Sequence, residues 1–128
     1  MALPSRHRLS GYRIIGRVYR DALKFHTSCL VLRVLNDNIK FDSNEFKCHP
    51  ISMWRCGIVI SSKVSKKAVM RNRLRRQLHS FLLANPPSTT TPVLLLISLK
   101  PNRKPIPPEQ LVRECSNVLR KAGLSHGN

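Results

Sequence analysis

Lys63-Val64-Ser65-Lys66-Lys67-Ala68-Val69-Met70-Arg71-Asn72-Arg73-Leu74-Arg75-Arg76 holds seven cations and no acid. Wound as a helix, this segment and its continuation align Met70, Leu74, Leu78, Phe81 and Leu82 in one apolar stripe. Ser65 offers an N-cap, and Asn85-Pro86-Pro87 stops the helix near Ala84. Arg71 and Arg75 flank the stripe on one side and Arg73 on the other, while Asn72 and Arg76 point away from it. A helix with such a stripe needs an apolar surface beneath it, and its neighbours in sequence supply one.

Before it, Met53–Ser61 reads as a strand centred on Gly57-Ile58-Val59-Ile60, and after it Val93–Leu99 is a nearly continuous apolar run of strand length. That run suits a central strand buried on both faces. Further out, His26–Leu35 is rich in Val and Leu and reads as a strand, with Arg33 its one charged member facing solvent or a ligand. Asn36-Asp37-Asn38 signals a turn, and residues 39–52 are polar and irregular. From Ser10, a plausible N-cap, Ile14, Ile15, Val18, Tyr19 and Leu23 recur at helical spacing. Pro101–Pro108 is an irregular connection. Glu109–Ala122 closes as a helix with Leu111, Val112, Cys115, Val118 and Leu119 on one face and Gly123 as its stop. Met1–Leu9 reads as a flexible basic arm and residues 123–128 as a tail. The expected fold is α+β: residues 1–128 form a single compact domain in helix-first order, with three helices on a small mixed sheet of about four strands.

Charge decides the class of partner. The 128 residues contain 23 Lys and Arg against 6 acids, a formal net charge of +17. No carboxylate side chain occurs between Phe46 and Pro108, where a dozen cations lie, so local pairing cannot neutralise this stretch. A merely solvated helix face mixes signs so that residues four apart can pair, and this one has no acid to offer. Arginine also suits phosphate, because its planar fork grips two oxygens at once. A nucleic-acid partner follows. Hydrophobic residues make up 41% and aromatic ones 5%, so a real core exists and is mostly aliphatic.

Other readings fare worse. Cys29, Cys48, Cys56 and Cys115 form no CxxC pair, and Cys48-His49 with Cys56 is the nearest approach to a metal cluster. Free thiols in a reducing cytosol are expected, with no metal or cofactor bound by the protein alone. No apolar run reaches the length of a membrane span, and the N-terminus lacks the apolar stretch of a signal peptide; the expected location is cytoplasmic. A stand-alone nuclease needs clustered carboxylates or paired acid and base groups, whereas the acids here are scattered and His7, His26, His49, His79 and His126 show no pairing. A ribosomal or other structural RNA-binding protein fits composition and charge equally well.

Ala68-Val69-Met70-Arg71-Asn72-Arg73-Leu74-Arg75-Arg76 resembles the Arg-Asn-Arg signature helix of the bacterial ribonuclease P protein subunit. The resemblance covers nearly the whole chain. Leu9, Arg17-Val18-Tyr19-Arg20 and Phe25 are similar to the family's opening helix and its exit, Leu30–Leu35 to its first strand, and Gly57–Ser61 to the strand before the signature helix. It implies a left-handed βαβ crossover through the basic helix, where sequence physics alone would favour the right-handed form. It implies that the protein joins a catalytic RNA, in a 1:1 complex with no obligatory protein partner. That RNA, with Mg2+, would remove the 5′ leader of precursor tRNA. Lys63, Lys66, Lys67, Arg71, Asn72, Arg73, Arg75 and Arg76 would face the catalytic RNA, and Ile15, Tyr19 and Arg33 the leader. No residue of the protein would be catalytic. This chain departs from the family pattern with Ile15 where Phe is usual, Ser62 where Lys is usual, and Ser65-Lys66-Lys67 where a shorter Gly-containing link is common.

Overall fold

The computed structural model describes residues 12–36, 54–87, 93–101 and 106–124. The elements are α1 (Tyr12–Asp21), β1 (Leu23–His26), β2 (Leu30–Asn36), β3 (Trp54–Val59), α2 (Ala68–Ala84), β4 (Val93–Leu99) and α3 (Pro108–Lys121). The basic arm, residues 39–52 with Cys48 and His49, and the tail beyond Leu124 lie outside the described residues, as does the turn beyond Asn36.

The strands form one mixed sheet in the order β1-β2-β4-β3. β1 pairs antiparallel with β2, and β2 antiparallel with β4, while β3 and β4 are parallel neighbours joined through α2. The apolar run Val93–Leu99 is therefore an inner strand, as its composition requires. Alternation along it divides the core. Val93, Leu95, Ile97 and Leu99 point to one face and pack with Leu74, Leu78 and Leu82 of α2 and with Leu111, Cys115, Val118 and Leu119 of α3. Leu94 and Leu96 point to the other face and pack with Ile14 and Val18 of α1 and with Leu35. Each fully buried leucine or isoleucine contributes about 1.5–3 kcal/mol. β4 thus ties the two helical layers together.

Two expectations are corrected. The sequence reading carries the first helix through Leu23 and begins the strand at His26; the helix ends at Asp21, and Leu23–His26 form a separate strand. Leu23 pairs with Val34 and His26 with Val31, so β1 satisfies backbone groups along the edge of β2 that an extended helix would leave open. Ser65 is not the N-cap of α2. That position falls to Lys67, which makes no side-chain cap, and the Ser65 hydroxyl accepts a hydrogen bond from the Lys67 N–H at 3.3 Å.

The end of α3 follows its sequence signal. Gly123 adopts φ +76°, its N–H donates to the Arg120 carbonyl at 3.0 Å, and the Leu124 N–H donates to the Leu119 carbonyl at 2.9 Å. With Leu124 buried, this is a Schellman closure.

Glu114 fastens α3 to the β1–β2 hairpin. Its carboxylate accepts hydrogen bonds from the Ser28 hydroxyl at 2.8 Å, the Cys29 N–H at 2.8 Å and the Gln110 amide at 2.9 Å. Burial alone would raise its pKa. Hydrogen bonds from Gln110, Thr27, Ser28 and the Cys29 N–H outweigh burial and hold the carboxyl at about 2, against an ordinary 4.5. The buried thiols, of which Cys29 touches Glu114, are poor nucleophiles. Burial, a hydrogen bond with Glu114 and its charge push Cys29 up to about 12; burial does the same for Cys115, and burial together with the neighbouring Cys115 raises Cys56 well above the usual range. All three are free and buried, as the composition suggested.

Because the folded pKa of Glu114 is depressed, its contribution is complete above pH 4.5 and is lost as pH falls through about 2. A depression of this size corresponds to about 3 kcal/mol. Urea unfolding of the wild-type chain should therefore show stability falling between pH 5 and pH 2 by about that much more than in Glu114→Gln. Equal pH dependence in the two proteins would remove the carboxylate from this role.

Candidate nucleic-acid interface

The signature cations gather at one end of α2. Lys63 lies in an exposed turn after β3, closed by the Val64 N–H donating to the Ser61 carbonyl at 3.0 Å, and Lys66 and Lys67 are exposed just before the helix. Asn72, Arg73 and Arg76 are exposed on its outer surface, and Arg71 and Arg75 are half-buried beside the apolar stripe. Two of these groups are held by neutral partners. Arg71 Nη1 donates to the Ser65 carbonyl at 2.8 Å, and Arg75 Nη1 to Asn72 Oδ1 at 2.9 Å. Neutral acceptors fix the guanidinium groups in place without cancelling their charge.

The placement of charge on α2 opposes its dipole. The first turn has no acid and the last turn no base, and three lysines crowd the N-terminal end. α3 is arranged the ordinary way, with Glu109 in its first turn and Arg120 and Lys121 in its last. Each cation near a helix N-terminus costs about 0.3–1 kcal/mol, and an anion brought there offsets it. The uncapped N–H groups of α2 and the surrounding lysines and arginines together form a phosphate-seeking end.

A second surface lies on the opposite side of the sheet, where α1 leaves part of β1, β2 and β4 uncovered. The Arg33 guanidinium carbon stands 4.6 Å from the centre of the Tyr19 ring, a cation–π stack, and Arg33 Nη1 donates to Ser98 Oγ at 3.3 Å. Arg33 Nε is buried without a hydrogen-bond partner. The Tyr19 ring is 43% exposed, so it is not a core ring; the stack with Arg33 holds it at the surface. Ile15, one turn earlier, is half-buried against the α1 side of the core and serves mainly to seat the helix.

The sequence reading misses Lys24, which stands opposite Arg33 in the β1–β2 register and so shares its face. Its signal, a charged residue at an alternating position, is hidden while β1 reads as the end of a helix. Other cations have structural duties: Lys100 Nζ donates to the Thr27 carbonyl at 2.8 Å and Lys121 Nζ to the His26 carbonyl at 3.0 Å, both tying down the hairpin. Among the described residues no group of three or more His, Cys, Asp and Glu could hold a metal ion, and no helix is long and apolar enough to cross a membrane.

A small mixed sheet carrying an acid-free arginine helix on one face and an exposed arginine–tyrosine stack on the other has the charge pattern of a nucleic-acid-binding protein. Comparison with known proteins gives the family. The family profile described as Ribonuclease P matches residues 3–123. The Ribonuclease P protein component of Parasynechococcus marenigrum (strain WH8102) is 42% identical over 126 residues, covering 97% of this chain and 98% of that protein. The corresponding protein of Prochlorococcus marinus (strain MIT 9303) is 40% identical over 127 residues, with 97% and 98% covered. In structure, the RNase P protein of Staphylococcus aureus superposes with a TM-score of 0.74 at 18% identity over 94% of this chain and 98% of that one. The protein from Thermotoga maritima gives 0.66 at 16% identity over 89% and 96%. At such identities these two bear on the fold. The chain belongs to the ribonuclease P protein family. It is accordingly an RNA-binding subunit that associates with the ribonuclease P RNA and serves in tRNA processing.

If the arginines of α2 grip phosphates, replacing Arg71, Arg73 and Arg76 by Ala should weaken RNA binding and flatten its salt dependence. The slope should fall by about 0.7–0.9 log units for each phosphate that the variant no longer neutralises. Weaker binding with an unaltered slope would mean that these residues support the fold and do not touch the backbone.

Proposed function

We propose that the α2 surface seats the protein, one copy per RNA, on the catalytic RNA, while the surface between α1 and the sheet holds the 5′ leader of precursor tRNA. In this reading Lys63, Lys66, Lys67, Arg71, Asn72, Arg73, Arg75 and Arg76 contact the catalytic RNA. Tyr19 and Arg33, aided by the flank of Ile15, receive the leader. The RNA subunit, with Mg2+, performs the cleavage in the cytoplasm. The protein supplies no catalytic group.

The observation that carries this reading is the separation of the two surfaces by the sheet. One RNA seated on α2 leaves Tyr19 and Arg33 free for a second strand. The chemistry of the second surface suits a single strand: an exposed ring on which a base can stack, a guanidinium beside it, and Lys24 opposite. The acid that a protein-based nuclease would need is not spare at Glu114, whose oxygens are committed to Ser28, Cys29 and Gln110. Cations without acids lower the repulsion between two RNAs brought together.

Tyr19→Ala should weaken binding of leader-carrying precursor tRNA to the holoenzyme by ~1–3 kcal/mol, the worth of one stacked base. Binding of mature tRNA and assembly with the catalytic RNA should stay unchanged. Equal losses for precursor and mature tRNA in a folded variant would overturn the leader assignment.

A further inference from the structure

Gly16 stands in the middle of α1, and nothing in the fold calls for it. Among the described residues only Gly123 has the positive φ that favours glycine. Apart from its chain neighbours and its own helix backbone, a Cβ built on Gly16 would meet nothing within 4 Å, so no packed segment needs the space. The helix runs unbroken through it from Tyr12 to Asp21. Glycine is the poorest helix former after proline, so it weakens α1 with no return inside the chain. Its remaining use is to let a ligand come close to the backbone. The surroundings show what kind of ligand. With about 3.6 residues per turn, Gly16 lies opposite Ile14 and Val18, which are buried in the core, and so at the centre of the outward face. Its neighbours there, three and four positions away, are Arg13, Tyr19 and Arg20, all exposed. Arg13 and Arg20 stand two turns apart, about 10 Å along the axis, with the bare glycine between them. The one acid of the helix, Asp21, makes only an exposed 3.7 Å contact with Arg20 Nε. The result is a notch floored by helix backbone, with an arginine at each end and Tyr19 on one flank.

We propose that the sugar–phosphate backbone of the leader strand crosses the outward face of α1 at Gly16, with its phosphates held by Arg13 and Arg20. The proposal rests on the reading of Tyr19 and Arg33 as the leader surface. It carries that surface from the stack beside the sheet round to the side of α1 that faces away from the sheet. Tyr19 joins the two, since its ring lies over Arg33 while its position on the helix is one turn from Gly16. A strand whose base rests on Tyr19 has only one helical turn, about 5 Å, to travel to the notch. RNA seated on α2 lies on the other side of the sheet and does not reach it. On this face Arg13, Gly16 and Arg20 offer no aliphatic side chain for a protein partner to bury. Two guanidinium groups with bare backbone between them suit a polyanionic chain.

The test fills the notch without changing charge. Gly16→Ala and Gly16→Leu place better helix formers in open space, so both full-length variants should melt no lower than the wild-type protein. Each is assembled with the catalytic RNA, and binding of leader-carrying precursor tRNA and of mature tRNA is measured over a range of salt, alongside assembly itself. Gly16→Leu should lift the strand off both arginines. It should therefore weaken precursor binding by roughly tenfold at low salt and flatten the salt dependence by about 0.7 log units per phosphate released, although no cation has been removed. Arg13→Ala with Arg20→Ala should flatten it to the same extent, and Gly16→Ala should act in the same direction but less. Mature tRNA binding and assembly with the catalytic RNA should stay at the wild-type level. Wild-type affinity and slope for the precursor in a folded Gly16→Leu would overturn the notch. A loss shared equally by mature tRNA, or one that falls on assembly instead, would overturn the leader strand as its occupant. The two readings fail separately: leader binding untouched by Tyr19→Ala would remove the surface on which the notch rests, whereas a loss with Tyr19→Ala and none with Gly16→Leu strikes the notch alone.

Discussion

The seating of α2 on the sheet through Leu74, Leu78 and Leu82 is the contact on which the rest depends. All three leucines are buried against β4 and α3, and they fix which way the remaining side chains of the helix face. A free peptide with the sequence of α2 would repel itself, since it has no acid at any position. Burial of the apolar stripe, at about 1.5–3 kcal/mol per leucine, holds the cations in a row despite that repulsion. The same helix therefore closes the core on one side and concentrates positive charge on the other. Its connection between the parallel strands β3 and β4 sets where that charge lies relative to the sheet.

β4 carries the second constraint. Because it is covered on both faces, α1 and the α2–α3 layer are held on opposite sides of a thin sheet, and the two cationic surfaces cannot merge into one patch. Among the described residues, the few acids serve structure. Glu114 joins α3 to the β1–β2 hairpin through neutral donors, and Asp21 makes an exposed 3.7 Å pair with Arg20 at the end of α1. Such an exposed pair is worth little. The cations of the described residues therefore find few acids within the fold, in a chain whose formal net charge is +17.

Local signals in the sequence are reliable wherever the structure is locally determined. Val93–Leu99 matches β4 at both ends because an inner strand must be apolar throughout, and α2 stops at Ala84 where Asn85-Pro86-Pro87 forbids continuation. Gly123 terminates α3 by its positive φ, as a C-terminal glycine should. What is not legible depends on distant partners. β1 is four residues long and looks like the tail of an amphipathic helix until its pairing with β2 is known. Glu114 reads as an ordinary exposed helix residue, since its donors Ser28 and Cys29 lie 86 and 85 positions away in the chain. At the candidate site, the cations of α2 are plain from charge alone. Tyr19 and Arg33 come from the family resemblance, and their 4.6 Å stack depends on how α1 lies across β2.

The central claim is that this protein acts by electrostatics between two RNAs and leaves the chemistry to its partner. Cleavage of precursor tRNA, measured against salt concentration with the protein alone, the catalytic RNA alone and the two together, tests it most directly. The account predicts no cleavage by protein free of RNA and slow cleavage by the RNA alone at high magnesium and salt. Addition of the protein should restore rapid cleavage at low salt, with a benefit that shrinks as free ions screen the same repulsion. A benefit independent of salt would contradict the electrostatic account, and cleavage by the purified protein would contradict the division of labour itself.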